Sequence, residues 1–562
     1  MPQDNSDRRL ASGNEAVAQA ALDAGVALGT GYPGTPSTEI LEAFDALGGR
    51  AQWAPNEKVA LEVGIGAAFA GARALVTMKH VGLNVAADPL FTVAYTGVTG
   101  GLVVVSADDP GMASSQNEQD NRRFALAAGV PMLEPSDSQE AYDFTLLAIQ
   151  ISERWRIPVL LRMTTRVCHS ATVVQTKGHF APPAQPPTFV RDVPGRVMIP
   201  AYARPAHHRL RAKLTEIAAW NETDGPTQVV DGEDDLTWEP SKGSQTLPRW
   251  SAAGEGGGLP TRLGIITSGI SYEHVREAAP RARVLKIGLS YPLPIEAMRR
   301  FAASVDRCLV VEEGDPYLYE AARTAGIVVE QKPAMYRFGE LNVGRVRRIV
   351  AGDVSPEPAL PAGKPPELCP GCPHRTVFEI LRDLGCIVAG DIGCYTLGVL
   401  PPFSAMDTCV CMGAAIGVGL GLRHSLPPEQ ARKVVSVIGD STFVHSGITG
   451  LVEMVYNPPA TGHVLVILDN GTTAMTGMQE HPGTGRRLDH EPTGRVVFED
   501  LARTLGIKNI HIVDPVADEK AIALVLREAL ARDELSVIIA RRPCLLAAGA
   551  IKLREKKVHA GK

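Results

Sequence analysis

The chain has 562 residues, a formal net charge of −6, a pI near 6.2 and nine cysteines. That mildly acidic balance gives no electrostatic ground for binding nucleic acid or an anionic membrane, and the length predicts three or four domains. An odd number of scattered cysteines points to reduced thiols and a cytoplasmic setting rather than a disulfide frame. The N-terminus lacks the apolar core of a secretory signal. The most apolar stretch, residues 409–422, is Gly-rich and shorter than the ~20 residues a membrane span needs.

Residues 1–180 alternate short aliphatic runs (ALVTM, LVVVSADD, PVLLRM) with helical patterns (GNEAVAQAALDAG, SQEAYDFTLLAIQISERW). This alternation predicts an α/β domain with a mainly parallel sheet. The turn Gly31–Thr38, GYPGTPST, has two prolines and two glycines to stiffen it and hydroxyls free to cap the next helix. A cap and a ligand contact explain it equally. A helix follows from Glu57, whose carboxylate is favoured at that N-terminus, and small residues at 60, 64, 66, 67 and 68 allow close packing. His80 lies just past a strand.

Residues 181–261 turn proline-rich, then polar and acidic, and read as a linker or irregular lobe with one short helix around Leu210–Trp220. LGIITSG, VLKIGLS and CLVVEEG mark a second, smaller α/β domain at 262–350. A proline-rich connector, 351–365, leads to a third domain, 366–562.

The third domain holds the strongest pattern. VVSVIGD and HVLVILDN read as two buried parallel strands, with a helical segment between them. Asp440 and Asn470 then stand at the C-terminal tips of adjacent strands, the edge where open α/β sheets bind ligands. A carboxylate beside an amide oxygen suits Mg²⁺, which also takes substrate phosphates. Gly471 lets the chain turn so that the Thr472 carbonyl can be a third ligand. Ser441, Thr442 and Thr473 flank these positions, and His445 opens the helix between them. Upstream, Cys369-Pro370-Gly371-Cys372-Pro373-His374-Arg375 is half of a zinc motif at most, and no close-spaced cysteine run for an iron–sulfur cluster occurs. It reads as a turn presenting amides, His374 and Arg375 to an anion. Residues 390–398, with Gly393, Cys394 and Tyr395, form another Gly-rich turn. Residues 406–421 run into a helix of small residues whose N-terminus suits a diphosphate.

As a set, GYPGTPSTE, NEKVALEVGIGA, TMKHVGLNVAADP, SSQNEQD, CPGCPHR and GDSTFVHSGITGL resemble the 2-oxoacid:ferredoxin oxidoreductases, and within them the alpha-subunit family of the indolepyruvate enzymes. The resemblance covers nearly the whole chain. It implies a three-domain thiamine diphosphate fold: a pyrimidine-binding domain (1–180), a transketolase C-terminal-like domain (262–350) and a diphosphate-binding domain (366–562). Glu57 would hold the aminopyrimidine, and Asp440, Asn470 and the Thr472 carbonyl would hold Mg²⁺. Cys372, His374, Gly393, Cys394, Tyr395, Gly439, Ser441, Thr442 and Thr473 would line the cofactor. Thr35 and His80 would serve catalysis at the substrate. Arg122 or Arg123 is a candidate for the substrate carboxylate, although the family's arginine maps cleanly onto neither. The implied reaction is oxidative decarboxylation of a 2-oxo acid, an arylpyruvate such as indolepyruvate, with coenzyme A as cosubstrate. The partner would be a smaller beta subunit in a heterotetramer or other heteromer.

The family usually continues into a ferredoxin-like tail with two four-cysteine clusters. Here the sequence passes ARRPCLLAAG and runs to Lys562 with only Cys544 in that stretch. The expectation is therefore that this chain carries no iron–sulfur cluster. A non-oxidative thiamine diphosphate decarboxylase or carboligase is the alternative reaction, and a cofactor-free scaffold subunit is the alternative from another class.

Overall fold

The computed structural model describes residues 8–178, 180–182, 186–232, 236–238, 250–252, 262–358 and 366–549. Most of the 233–261 stretch, the 359–365 part of the connector and the tail after 549 lie outside the described residues. The chain forms two compact units: Met1–Gln52 with Glu57–Ala359, and Trp53–Asn56 with Leu360–Lys562.

The first unit holds two large sheets. One has seven strands in the order Leu289–Tyr291, Met132–Leu133, Val159–Thr164, Leu102–Asp108, Ala74–Lys79, Leu28–Gly31, Ala51–Trp53. Its central strands are parallel and wholly buried, which is why they read as unbroken aliphatic runs rather than alternating ones. Strand order reverses between Leu28–Gly31 and Ala74–Lys79. The turn carrying Thr35 and the loop carrying His80 leave the carboxyl ends of those two strands, where such sheets bind ligands. The second sheet runs Glu330–Gln331, Arg307–Val311, Leu263–Ser268, Arg283–Ile287, Gln228–Val230.

Two expectations for the middle of the chain need correction. The stretch read as a linker supplies Gln228–Val230 as an antiparallel edge strand. Its helix is also not short, running Pro200–Asn221 with Pro205 inside. Ala206, Leu210, Leu214, Ile217 and Asn221 form its buried stripe, at the spacing of one helix face. Proline removes a single backbone bond near the N-terminal end, and that stripe offsets the loss.

The second unit has one all-parallel sheet in the order Thr408–Cys409, Ile387–Gly390, Val434–Gly439, His463–Asp469, Leu535–Arg541, Asn509–Val513. The predicted strand–helix–strand unit is present: Val434–Gly439, helix Ile448–Tyr456 after a wide turn at Phe443–Gly447, then His463–Asp469. Strand order reverses between Ile387–Gly390 and Val434–Gly439, so the segments after Gly390 and Gly439 flank this sheet's ligand crevice. Among the described residues no helix is long and apolar enough to cross a membrane.

Candidate active site

In the second unit Asp440 follows strand Val434–Gly439 and Asn470 follows strand His463–Asp469, both buried. Asp440 Oδ1 accepts the Ser441 N–H at 2.8 Å and Oδ2 accepts the Gly471 N–H at 2.7 Å. Gly471 sits at φ +72°, a conformation that suits glycine. Burial pushes the Asp440 carboxyl up, but nearby His481 and these two amides hold it below the usual range.

Asn470 Oδ1 accepts the Thr472 N–H at 3.1 Å, and Nδ2 faces His374 Nε2 at 3.3 Å. A backbone N–H must meet an acceptor, so the amide oxygen is on the Thr472 side. His374 therefore receives the amide's N–H on a bare Nε2. Burial keeps the His374 ring neutral, its pKa lowered to about 4. Ser441 and Thr473 share a hydroxyl contact at 2.8 Å, and the Thr472 hydroxyl donates to the Gln479 carbonyl at 3.2 Å.

Asp391, absent from the sequence reading, organises the other wall. Its carboxylate accepts the N–H groups of Ile392 (2.8 Å), Gly413 (3.0 Å) and Ala415 (3.0 Å), and burial raises it to about 6. It thus occupies the N-terminus of helix Ala414–Ser425, the end expected to meet a diphosphate. The signal was available: AGD after an aliphatic run is the same punctuation as IGD at 440. The Gly393 N–H goes to the Thr396 hydroxyl at 3.0 Å.

Tyr395 is buried, and its hydroxyl donates to the Ile392 carbonyl at 3.0 Å, as does that of Thr442. A Cβ on Gly439 would fall 2.6 Å from the Tyr395 ring, so this glycine makes room for the aromatic. Arg375 donates to the Leu368 carbonyl at 2.8 Å and lies over the Phe403 ring; it is packing rather than anion recognition. His445 is buried with Nδ1 2.6 Å from the Ser446 hydroxyl.

In the first unit Glu57 is buried at the start of helix Glu57–Phe69. A Cβ on Gly82 would come within 2.6 Å of its Cγ and Oε1, so a missing side chain preserves the space beside the carboxylate. The hydroxyls around Thr35 pin the turn and do not cap the helix: Ser37 donates to the Gly34 carbonyl (3.1 Å) and Thr38 accepts the Gly34 N–H (3.0 Å). The capping expectation fails because Ser37 is drawn back into the proline-stiffened loop. His80 is fully buried, with Nε2 3.1 Å from the Asn117 carbonyl and Nδ1 without a partner among the described residues.

The two arginine candidates differ in their surroundings. Arg122 is buried against Asp120 and Glu312, donates to the carbonyls of Glu313 and Asp315, and lies over the Tyr317 ring. Arg123 pairs with Glu320. Arg122 is thereby committed to a buried network, whereas the Arg123 pair is exposed. A cavity of about 550 Å³ opens beside this network, lined by residues that include Asp108, Asn117, Asp120, Arg162, Asp315 and Arg337.

The family described as "Pyruvate flavodoxin/ferredoxin oxidoreductase, thiamine diP-bdg" matches residues 19–183, and "Thiamine pyrophosphate enzyme, C-terminal TPP binding domain" matches 391–540. The chain is similar to "Indolepyruvate oxidoreductase subunit IorA" of Archaeoglobus fulgidus, with 39% identity over 97% of this chain and 88% of the relative. The protein of the same name from Methanothermobacter thermautotrophicus is 37% identical over 99% of this chain and 90% of the relative. The chain belongs to the thiamine diphosphate-dependent 2-oxoacid:ferredoxin oxidoreductase family. Among solved structures, a 2-oxoglutarate:ferredoxin oxidoreductase from Magnetococcus marinus aligns with a TM-score of 0.49 and 17% identity, over 63% of this chain and 66% of that one.

For a member of this family, the second unit's donor set fits a divalent cation bridging a diphosphate. It offers one buried carboxylate and one buried amide oxygen on a glycine-enabled turn, ringed by N–H donors. Cysteine placement departs from the sequence reading. Cys544 does not stand alone: the thiols of Cys372 and Cys394 each feel those of Cys369 and Cys544. Burial is the main cause that pushes both up, Cys394 to about 11. The Cys544 N–H donates to the Asn470 carbonyl at 2.9 Å, which carries the C-terminal segment back to the site. Among the described residues no three of His, Cys, Asp or Glu are close enough to grip a single ion.

Proposed function

We propose that this chain, with a smaller partner subunit in a heteromer, carries out Mg²⁺- and thiamine diphosphate-dependent oxidative decarboxylation of a 2-oxo acid to an acyl-CoA. Arylpyruvates such as indolepyruvate are the favoured substrates, electrons leave to an acceptor through the partner, and the setting is cytoplasmic. The domain division is 1–180, 262–350 and 366–562, with a connector at 351–365 and a 181–261 stretch that supplies helix Pro200–Asn221 and the edge strand Gln228–Val230 of the second sheet. One observation carries the reading: Asp440 and Asn470 stand, buried and oriented by backbone amides, at the crevice of a parallel sheet. The name shared by the relatives supports indolepyruvate.

Bound thiamine diphosphate would supply the carbanion chemistry. Asp440, Asn470 and the Thr472 carbonyl would hold the cation, with His374 fixing the Asn470 amide. Glu57 would hold a proton on the aminopyrimidine nitrogen. Thr35 and His80 would face the substrate, and Cys372, Gly393, Cys394, Gly439, Ser441, Thr442 and Thr473 would wall the cofactor.

The test is turnover of indolepyruvate, phenylpyruvate, pyruvate and 2-oxoglutarate by the copurified complex, with and without coenzyme A and a low-potential electron acceptor. Acyl-CoA formation that requires both, fastest on the aryl substrates, is expected. CO₂ release that needs neither would establish the non-oxidative alternative.

A second reading concerns the electrons. The expectation of no iron–sulfur cluster rested on the lack of a close-spaced cysteine run, on the 369–411 cysteines lying in cofactor turns and on Cys544 being alone near the end; the last ground is weakened by the influence of the Cys544 thiol on Cys372 and Cys394. Four thiols drawn from Cys369, Cys372, Cys394 and Cys544 are the number a [4Fe–4S] cube takes, and a cube spreads its thiolates wider than a single ion does. On this reading the chain itself accepts electrons beside the cofactor.

A further inference from the structure

His481 lies beside the Asp440 carboxylate and is 4% exposed. Its Nδ1 accepts the Gly483 N–H at 3.2 Å. A backbone N–H needs a bare nitrogen opposite it, so the ring carries its proton on Nε2. Nε2 is 3.3 Å from Asp440 Oδ2, but the approach is misaligned, and this buried donor has no aligned hydrogen-bond partner among the described residues. Native interiors leave few such donors unmet. The Asp440 oxygens each accept a backbone amide, from Ser441 and Gly471, while the His481 N–H lies close to Oδ2 without being aligned on it. What the position lacks is a second acceptor.

We propose that His481 is a further binding residue of this site, its Nε2–H donating to an oxygen of the metal-bridged diphosphate. The proposal rests on reading Asp440 and Asn470 as the cation's ligands. An anion beside a buried carboxylate needs the cation between them, and a neutral N–H donor next to Asp440 stabilises that anion without competing for the metal. The acceptor it fits is a phosphate oxygen, because a cation or a second N–H at that point would repel the ring proton.

The test uses the full chain and calorimetry with thiamine diphosphate plus Mg²⁺ and with inorganic diphosphate plus Mg²⁺, alongside Mn²⁺ alone by electron paramagnetic resonance. His481→Leu removes the donor, and His481→Gln restores an N–H at similar reach. His481→Leu is expected to weaken both diphosphate ligands by about 10–100-fold, the range for losing a partner of a metal site. His481→Gln should recover most of that loss, and Mn²⁺ alone should bind all variants alike. Unchanged diphosphate affinity in His481→Leu overturns the proposal. So does an equal loss for Mn²⁺ alone, since His481 would then only steady Asp440. If His481→Leu does not fold, ¹⁵N-histidine spectra of the unmutated chain decide: the His481 Nε2–H signal must move when Mg²⁺ and diphosphate are added, and an unmoved signal overturns the proposal. An unmutated chain that binds neither ligand sinks the Asp440 and Asn470 reading too, a result distinct from binding that the substitution leaves untouched.

Discussion

Asp440 and Glu57 are both buried carboxylates, yet their surroundings assign them different work. Asp440 is wrapped by N–H donors that keep it charged, as a cation ligand must be. Asp440→Ala is expected to abolish Mg²⁺-dependent binding of thiamine diphosphate, since sites of this kind depend on one or two carboxylates; calorimetry that finds unchanged affinity would remove Asp440 from the site. Glu57 stands at a helix start, with space kept open beside its carboxylate by the missing side chain of Gly82. Glu57→Gln should leave cofactor binding largely intact and slow turnover by about 10²–10⁴-fold, the range for losing a positioned proton-transfer group. Steady-state kinetics on the purified complex checks this, and a silent Glu57→Gln beside a crippling Glu62→Gln would show that the wrong helix position was chosen.

At the scale of elements, the buried strands were legible in the sequence because each is apolar on both faces. VVSVIGD and HVLVILDN could hardly be anything else, and Asp440 and Asn470 came with them. Helix Pro200–Asn221 was cut short because Pro205 and a polar composition mask its buried stripe. Asp391 carried the same strand-end punctuation as Asp440 and was passed over, whereas its role and that of His481 were not legible for another reason. What marks Asp391 is the pair of amides, Gly413 and Ala415, that reach it from some twenty residues along the chain, and what marks His481 is its place beside Asp440 from an irregular turn without periodicity.

His463, at the head of its strand, is a quieter case. It is buried with Nε2 2.8 Å from the Ser436 hydroxyl, beneath a helix that approaches closely because position 419 is glycine. Burial lowers its pKa to about 3, against an ordinary value near 6.5. The folded state therefore favours the neutral ring. That contribution is complete above about pH 6.5 and is lost as pH falls toward 3. Thermal unfolding across that window should show a steep acid loss, and His463→Gln should flatten it; an identical slope in the variant would show that other groups dominate.

For the whole molecule, the decisive question is where electrons go after the 2-oxo acid is cleaved. Anaerobically purified chain is expected to contain about four irons and a matching amount of acid-labile sulfide if the four thiols act together, and Cys544→Ser should lower both without abolishing thiamine diphosphate binding. Iron-free protein that still reduces an acceptor only when the partner is present would return the whole electron path to the partner. The buried network of Arg122, Arg162, Asp108, Asp120, Glu134 and Glu312 acts on a similar scale, since it ties the loops of one sheet of the first unit to the strand ends of the other. Arg122→Ala should destabilise the chain by about 3–5 kcal/mol, as expected when one partner of a buried ion pair is removed. Denaturant melts would register it, and a loss below about 1 kcal/mol would mean that water or neighbouring side chains compensate.

The strand Leu289–Tyr291, which falls in sequence between the second sheet's strands Arg283–Ile287 and Arg307–Val311, completes the seven-stranded sheet at its edge. Translation runs in one direction, so the nascent N-terminal sheet must wait for it. Until residue 291 clears the ribosome, Met132–Leu133 remains an open edge, and an open edge can template pairing with a neighbouring polysome's chain. The interval from residue 133 to 291 is therefore where a pause in synthesis does the most harm. A recoded gene with slow codons there should yield more aggregate than one with the same codons placed after 291.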